Sequence, residues 1–307
     1  MTATGSAAKT LTIGSRGSQL ALWQARYVAS QLEQRGIGSH IEVIKTMGDS
    51  RETASLVQAG GGKGLFTKEI EDALLTGAID LAVHSLKDLP TDTPRGLAIA
   101  ATPKREDPRD AIVGGLFNNL PKHARVGTSS ERRKAQLLRL RPDLQIEPIR
   151  GNVDTRLRKL KERQYDAVVL AVAGLRRLGL EHEVAEIFPP EQVCPAAGQG
   201  ALAIETREND PVREICAALN DEATSQAVAC ERAALRALGG GCQLPVGAFA
   251  EIVERVLRLT AVVISQDGTR YLRESGEGSP DHPDEIGRAV ADELLRRGAR
   301  TILSEIR

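Results

Sequence analysis

The first 205 residues alternate between two patterns of hydrophobic and polar positions. Short runs rich in Val, Ile and Leu are typical of buried strands, and the stretches between them place apolar residues at helical spacing. Strands that alternate with helices in this way are typical of an α/β fold with parallel sheets. The strands predicted on this pattern are residues 10–13, 41–46, 79–84, 97–101, 111–113, 125–126, 145–149, 166–172 and 201–205.

Glycines mark the ends of the first helices and a long irregular segment. We predict helices at residues 18–35 and 67–76, because Gly36 and Gly77 follow the last positions with helical spacing. Residues 48–64 contain five glycines and no periodicity, which predicts a mobile loop and a candidate cover for an active site.

The pattern changes after residue 220. Residues 222–238 predict a long helix, followed by alternating strands at 246–253 and 256–265, an Asp-Gly turn, a third strand and a helix at 284–297. Prolines in segments 102–107 and 192–199 predict crossings of the chain between two α/β lobes. We therefore expect lobe 1 at residues 1–103 and 199–220, lobe 2 at 104–198, and a small α+β C-terminal domain at 221–307.

Composition argues against several classes of function. The chain carries 41 basic and 41 acidic residues, so it has no overall attraction for nucleic acid or an anionic membrane. Residues 122–177 hold 15 Lys and Arg against 6 Asp and Glu, which fits a solvated surface, an RNA-binding face or a pocket for a polyanion. Aromatic residues make up 3%, too few to favour stacking on single-stranded nucleic acid. No apolar run has the length of a leader or a membrane helix, so we expect a soluble cytoplasmic protein.

Four polar clusters follow predicted strands, where open α/β sheets bind ligands. Serines at helix starts offer hydroxyl and backbone N–H donors, and arginines offer paired donors, so together they suit carboxylates or phosphates. Each cluster taken singly fits a helix cap or a surface ion pair as well. The clusters are Ser15-Arg16-Gly17-Ser18, Ser85-Leu86-Lys87-Asp88, residues 127–133, and Arg150-Gly151-Asn152 with Arg156 one turn further on.

Sequence patterns of nucleotide and hydrolase sites do not fit this chain. Residues 60–64 have glycine where a Walker loop needs Ser or Thr, and neither G-x-S-x-G nor HExxH occurs. Asp88 opposes anion binding unless it serves a reaction, although Lys87 or a nearby arginine could simply pair with it. We expect His84, in an apolar strand, to be a satisfied core residue.

Cys242 is the first candidate for covalent chemistry. It follows three glycines, which allow positive φ and the close approach of another group. The alternative is a glycine helix stop followed by a buried, inert cysteine. No C-x-x-C pair links it to Cys194, Cys216 or Cys230, so we expect reduced thiols and no metal.

Taken together and in this order, these segments resemble the hydroxymethylbilane synthase family, also called porphobilinogen deaminases. The resemblance runs nearly from end to end. It implies two α/β lobes arranged like a periplasmic binding protein, plus the small C-terminal domain. The segments that carry it are residues 16–24, 61–66, 82–90, 105–110, 127–130, 150–153, 170–175 and 239–245.

The resemblance also implies an activity and a cofactor. Enzymes of this family join four porphobilinogen molecules head to tail with release of ammonia, and free the linear tetrapyrrole by hydrolysis. Cys242 would carry a dipyrromethane primer through a thioether. Asp88, with Lys87, would be the acid/base and electrostatic partner of pyrrole nitrogens and of the azafulvenium intermediate.

The remaining implied contacts go to the carboxylates of cofactor and substrate. The implied partners are porphobilinogen and the growing oligopyrrole, with no metal, nucleic acid or membrane, and the chain would be a monomer. Glu131, just before Arg132 and Arg133, would weaken anion binding if it pointed inward. The residues implied for the cofactor are Arg16, Ser18, Lys87, Asp88, Thr128, Ser129, Ser130, Arg132, Arg133, Arg150, Gly151 and Arg156, and those for the substrate are Arg16, Lys63, Phe66, Arg150, Arg156, Arg177 and Gln199.

Two other classes of function remain open on the sequence. A non-enzymatic anion-binding module would use the same basic clusters, but it leaves Cys242 and Asp88 unexplained. A Cys/His acyl-transfer enzyme would require a histidine beside Cys242.

Overall fold

The computed structural model describes residues 10–46, 67–241 and 244–305. They form two compact units: unit 1 falls within Met1–Pro103 and Leu202–Asn220, and unit 2 within Lys104–Ala201 and Asp221–Arg307. The division of the chain into three domains stays a prediction. No helix in these described ranges is both long enough and apolar enough to cross a membrane.

Unit 1 is built on a mixed five-stranded sheet with helices on both faces. Its main strands and helices are β1 (Leu11–Ser15), α1 (Gln19–Glu33), β2 (Ser39–Val43), α2 (Lys68–Leu75), β3 (Leu81–Ser85), β4 (Leu97–Ala101), β10 (Leu202–Arg207) and α6 (Val212–Ala217).

The strand order in unit 1 is β2-β1-β3-β10-β4. Strands β1, β2 and β3 are parallel, whereas β10 is antiparallel to both of its neighbours. Alternate residues of β3 point to opposite faces of the sheet, so that Leu81 and Val83 pack with α1 while Ala82 packs with α2. Two separate apolar layers therefore hold the sheet between its helices.

Unit 2 contains a second five-stranded sheet and a three-stranded sheet. The main elements around the first are β5 (Asp110–Val113), β6 (Arg125–Gly127), α3 (Glu131–Leu140), β7 (Gln145–Glu147), α4 (Val153–Lys161), β8 (Ala167–Ala171), α5 (Val172–Arg177) and β9 (Glu186–Ile187). Those around the second are α7 (Glu222–Ala237), β11 (Val246–Val253), β12 (Val256–Ile264), β13 (Tyr271–Gly278), α8 (Pro283–Arg296) and α9 (Ala299–Ser304).

The larger sheet of unit 2 has the order β7-β6-β8-β5-β9. Strands β6, β7 and β8 are parallel, and β5 is antiparallel to β8 and β9. The smaller sheet is an antiparallel meander, β11-β12-β13, that packs with α7 and α8 around an apolar core of its own.

The α/β class of the fold is confirmed, and each five-stranded sheet contains one strand that runs antiparallel to its neighbours. Strand β10 starts beside Ser85 at the carboxyl end of β3, and β5 starts beside Ala171 at the carboxyl end of β8. Both strands follow a crossing of the chain between the units, so the chain enters the sheet at that edge. Each strand therefore runs antiparallel to its neighbours. Strand β9 was not predicted, because a two-residue strand carries no readable period.

Candidate active site

The first candidate site in unit 1 lies where β1 and β3 end. The two strands are parallel neighbours, with Ile13 opposite Leu81, so their carboxyl ends meet at one edge of the sheet. The segment Ser15-Arg16-Gly17-Ser18 leaves β1 there, and a short 3₁₀ helix, Leu86–Asp88, leaves β3. The sheet therefore brings together two of the clusters predicted from sequence.

The N-terminus of α1 at this edge is open to an anion. The Ser18 hydroxyl caps the helix by accepting the Ala21 N–H at 3.2 Å, and the first turn contains no acidic side chain. Backbone N–H groups and the helix dipole thus remain available to a negative charge. Arg16, half-buried beside this turn, can add its guanidinium.

Asp88 is an exposed carboxylate that no described residue neutralises. Its side chain has no ion-pair or hydrogen-bond partner in the part of the chain that the structure describes, which disfavours the alternative of simple pairing with Lys87 or an arginine. Lys87 is half-buried. The strand end behind them is held by Gln24, which is buried and donates from Nε2 to the Ser85 hydroxyl at 2.8 Å.

In unit 2, a serine ties the ends of two parallel strands together. Strand β6 lies between β7 and β8 and leads into Thr128-Ser129-Ser130. The Ser129 hydroxyl donates to the Ile149 carbonyl at 2.8 Å and accepts the Ile149 N–H at 3.0 Å, so it joins this segment to the end of β7. Ser130 caps α3 by accepting the Arg133 N–H at 3.4 Å, while Thr128 is buried.

Arg132 and Arg133 extend from α3 to a buried carboxylate, Asp110. Arg132 Nη1 lies 2.7 Å from Asp110 Oδ2, and Arg133 Nη2 lies 2.7 Å from Asp110 Oδ1. Gln199, also buried, donates from Nε2 to Asp110 Oδ1 at 2.8 Å. Burial alone would raise the pKa of Asp110, but the charges and hydrogen bonds of the two arginines hold it well below its usual range.

This network sets the electrostatics of the site in unit 2. One carboxylate between two guanidiniums leaves one net positive charge inside the protein. Arg177 is likewise buried and donates from Nη2 to the Gly200 carbonyl at 2.6 Å. The direct contact of Arg132, Arg133, Arg177 and Gln199 with ligand carboxylates stays a prediction.

Arg150, Gly151 and Arg156 lie at the surface of the same edge. Arg156 donates from Nε to the Gly151 carbonyl at 2.8 Å. Gly151 has φ +108°, and a Cβ there would come within 2.5 Å of the Thr155 side chain, so this turn requires glycine. Arg150 and Gly151 are exposed and Arg156 is half-buried. Glu131, expected to oppose anion binding if it pointed inward, lies 3.8 Å from Lys134 on its own helix.

The described cysteines are poor nucleophiles. Cys194, Cys216 and Cys230 are buried, and burial raises the pKa of each thiol to about 12. Cys242 lies outside the described residues, as do Lys63, Phe66 and the predicted loop at 48–64.

The glycine tract before Cys242 does end a helix. Helix α7 stops at Ala237, and Gly239 and Gly240 follow with φ of +93° and +30°. Their N–H groups donate to the carbonyls of Arg236 and Leu235 at the helix end.

Sequence reasoning missed two buried carboxylates, Asp110 and Glu231. Glu231 accepts hydrogen bonds from Arg105 Nη1 at 2.6 Å, the Gly198 N–H at 2.7 Å and the Ala250 N–H at 2.8 Å. It therefore connects α7 to β11, to the segment that contains Arg105 and to the segment that contains Gly198. The sequence feature that could have identified them is an acidic residue directly beside an apolar run. Asp110 precedes Ala-Ile-Val, and Glu231 follows Val-Ala-Cys.

Two family models match this chain. A family model described as "Porphobilinogen deaminase, dipyromethane cofactor binding domain" matches residues 11–214, and one described as "Porphobilinogen deaminase, C-terminal domain" matches residues 225–296. Among solved structures, the methionine-binding protein MetQ aligns over 68% of this chain and 89% of its own, with a TM-score of 0.45 at 11% identity.

Curated relatives match over nearly their whole length. The porphobilinogen deaminase of Pelobacter propionicus is 52% identical over 301 residues, which cover 96% of this chain and 97% of that protein. The porphobilinogen deaminase of Geobacter metallireducens is 49% identical over 305 residues, covering 98% of this chain and 96% of that protein. The chain belongs to the porphobilinogen deaminase family.

Proposed function

We propose that the strand-end clusters of the two units hold the carboxylates of a dipyrromethane cofactor and of porphobilinogen, with Asp88 as the catalytic carboxylate and Cys242 as the attachment point. The activity is that of a hydroxymethylbilane synthase, a transferase that joins four porphobilinogen molecules with release of ammonia and frees the linear tetrapyrrole by hydrolysis.

The residues present fit a dipyrromethane with acetate and propionate groups. Unit 1 offers an open helix N-terminus beside Arg16, and unit 2 offers Arg150 and Arg156 at its surface. The three described cysteines are too buried to be alkylated readily, which supports Cys242 as the attachment point. When bound, the dipyrromethane supplies the pyrrole carbon to which the first substrate unit is joined.

The basic side chains bind and orient the carboxylates. Each hydrogen bond to a charged group contributes about 1.5–3 kcal/mol. Affinity changes tenfold for about 1.4 kcal/mol, so a few such bonds hold a short oligopyrrole only transiently, and a covalent link prevents its loss. The role of Arg16, Arg150 and Arg156 is thus to fix the direction of the chain, while the thioether keeps it in place.

Asp88 stabilises positive charge. When the aminomethyl group of porphobilinogen loses ammonia, a cation delocalised onto the pyrrole nitrogen remains, and a nearby carboxylate attracts it and can accept the pyrrole N–H hydrogen bond. At 4 Å this attraction is worth about 1 kcal/mol in water and about 4 kcal/mol in a protein-like medium. These values correspond to about sixfold and about a thousandfold in rate. The observation that carries the assignment is a carboxylate without an ion-pair or hydrogen-bond partner among the described residues, at an edge that also presents Arg16 and the N-terminus of α1.

The test compares intact masses of the denatured protein with turnover. Wild-type protein and the control Cys216→Ser should carry an excess mass equal to two linked pyrrole units, and Cys242→Ser should lack it. Asp88→Asn should keep the excess mass but lose most turnover, whereas Asp92→Asn, an exposed aspartate in the same segment, should retain turnover. An unmodified wild-type mass after incubation with porphobilinogen, or normal turnover in Asp88→Asn, would overturn the assignment.

We further propose three domains, with bounds at 1–103 plus 199–220, 104–198 and 221–307, and a monomer that acts in the cytoplasm. The separate sheet and apolar core formed after residue 221 support the third domain. Light scattering on the purified holoenzyme should give the mass of one chain, and a stable dimer would contradict the proposed monomer.

A further inference from the structure

The face of the unit 1 sheet beneath α2 carries a buried imidazole–carboxylate pair that the proposed mechanism does not use. His84 on β3 and Glu205 on β10 are only 6% and 1% exposed. Neighbouring side chains on this face, such as Ala82 and Ile70, are apolar. Burying an imidazole and a carboxylate here costs free energy, so their presence requires an explanation.

The pair is formed by the register of two antiparallel strands. Ala203 lies opposite His84, and Glu205, two residues further along β10, points to the same face. His84 Nε2 lies 3.2 Å from Glu205 Oε2. The angles do not meet hydrogen-bond geometry, and neither atom has another hydrogen-bond partner among the described residues, so the contact is chiefly electrostatic.

A second carboxyl, Glu71 on α2, belongs to the same cluster. Burial raises the pKa of Glu71, the charge of Glu205 raises it further, and His84 opposes the rise. The other charged groups on the elements packed here are Lys68, Glu69 and Asp72 on α2 and Arg207 on β10. Arg207 is held at the other end of β3, where it donates to the Ile79 carbonyl and pairs with Asp210.

His84 lies near the end of β3, just before the segment that carries the proposed catalytic carboxylate. The next residue, Ser85, is held from the other face of the sheet by Gln24, and the chain then turns through Leu86–Asp88. The end of β3 is thus held on one face by Gln24 and on the other by His84 with Glu205.

We propose that His84 is a positioning residue for Asp88, acting through its contact with Glu205 at the end of β3. This inference rests on the proposed role of Asp88. Losing either side chain should let the end of β3 shift, and with it the segment that carries Asp88. Turnover should therefore fall when either partner is replaced, with little effect on substrate binding.

The test uses His84→Gln, Glu205→Gln and the double variant as holoenzymes whose primer content is verified by mass. Each single variant should lose about tenfold or more in kcat with little change in KM, since small misplacements of a catalytic group cost up to about a hundredfold. The double variant should lose no more than the worse single variant, because the two residues act as a unit.

Asp80→Asn is the matched control at the opposite end of β3. Asp80 Oδ2 accepts the Thr12 N–H at 2.9 Å, so this variant should lower the thermal midpoint with little change in kcat. If His84→Gln fails to fold, Glu205→Gln carries the test, because glutamine keeps the shape of glutamate.

The outcomes separate the two proposals. Losses that appear in KM as much as in kcat, or that add in the double variant, would give the pair a merely structural role and overturn the inference. Wild-type kcat in both single variants, together with an inactive Asp88→Asn, would overturn the inference alone. An active Asp88→Asn would overturn the proposed role of Asp88 itself.

Discussion

Replacing Asp110 by Asn should destabilise unit 2 more than any surface change. Its carboxylate lies between Arg132 and Arg133, and all three side chains are at most 6% exposed. The substitution keeps the shape but leaves two buried guanidiniums without a negative charge. Breaking a buried ion pair in this way costs about 3–5 kcal/mol, and we expect the free energy of unfolding of unit 2 to fall by this amount.

The effect of Asp110→Asn should depend on pH with a definite sign. Because the folded state holds the pKa of Asp110 below its unfolded value of about 4, the stabilisation is present above pH 4 and is lost as pH falls towards the folded pKa. In the variant this contribution is absent. The stability difference between wild type and variant should therefore shrink by about 1 kcal/mol between about pH 5 and about pH 3.

Hydrogen exchange resolved by peptide is the suitable assay, because a chain with two units need not unfold in one transition. Peptides containing β5 and α3 should lose protection in Asp110→Asn. The control Asp143→Asn removes a partly exposed ion pair with Arg141 and should have a small effect. Unchanged protection in Asp110→Asn, or a loss as small as that of the control, would refute the argument from the buried network.

Two further predictions concern residues that shape unit 2. Glu231→Gln should lower the free energy of unfolding by about 3 kcal/mol, since it leaves Arg105 unpaired, and the double variant Arg105→Gln/Glu231→Gln should recover part of this loss in urea unfolding. If the double variant were no more stable than Glu231→Gln, the charge on Arg105 would not be what destabilises the single variant. Gly151→Ala should lower stability by more than about 1 kcal/mol, because alanine is strained at φ +108° and its Cβ meets Thr155. An unchanged thermal midpoint and KM would contradict this.

Local patterns were sufficient to predict most elements of the fold. Strands β4 and β11 have the predicted bounds, because apolar runs end there at clear turn signals. The direction of β5 and β10 was not predictable, since it depends on the edge at which a distant segment enters the sheet. A period of two residues identifies a strand but not its direction.

The roles of the candidate site residues stay predictions, but the meeting of two of their clusters follows from the strand pattern. The segments after β1 and β3 lie at one edge of the sheet, because parallel strands align their carboxyl ends. Sequence did not distinguish Arg132 and Arg133, which are buried against Asp110, from Arg150, which is exposed. That difference arises from contacts between residues far apart in the chain. The pair of His84 and Glu205 was also missed, because it depends on the register of two strands more than a hundred residues apart.

The position of β10 in its sheet determines the order in which the chain can fold during synthesis. Among the described strands β4 borders β10 alone, so it leaves the ribosome before this partner and can pair with it only after residues 202–207 have followed. All five strands of the larger unit 2 sheet are made in this interval. Unit 2 can thus complete that sheet first, while β3 and β4 still expose open edges to chaperones and to other nascent chains.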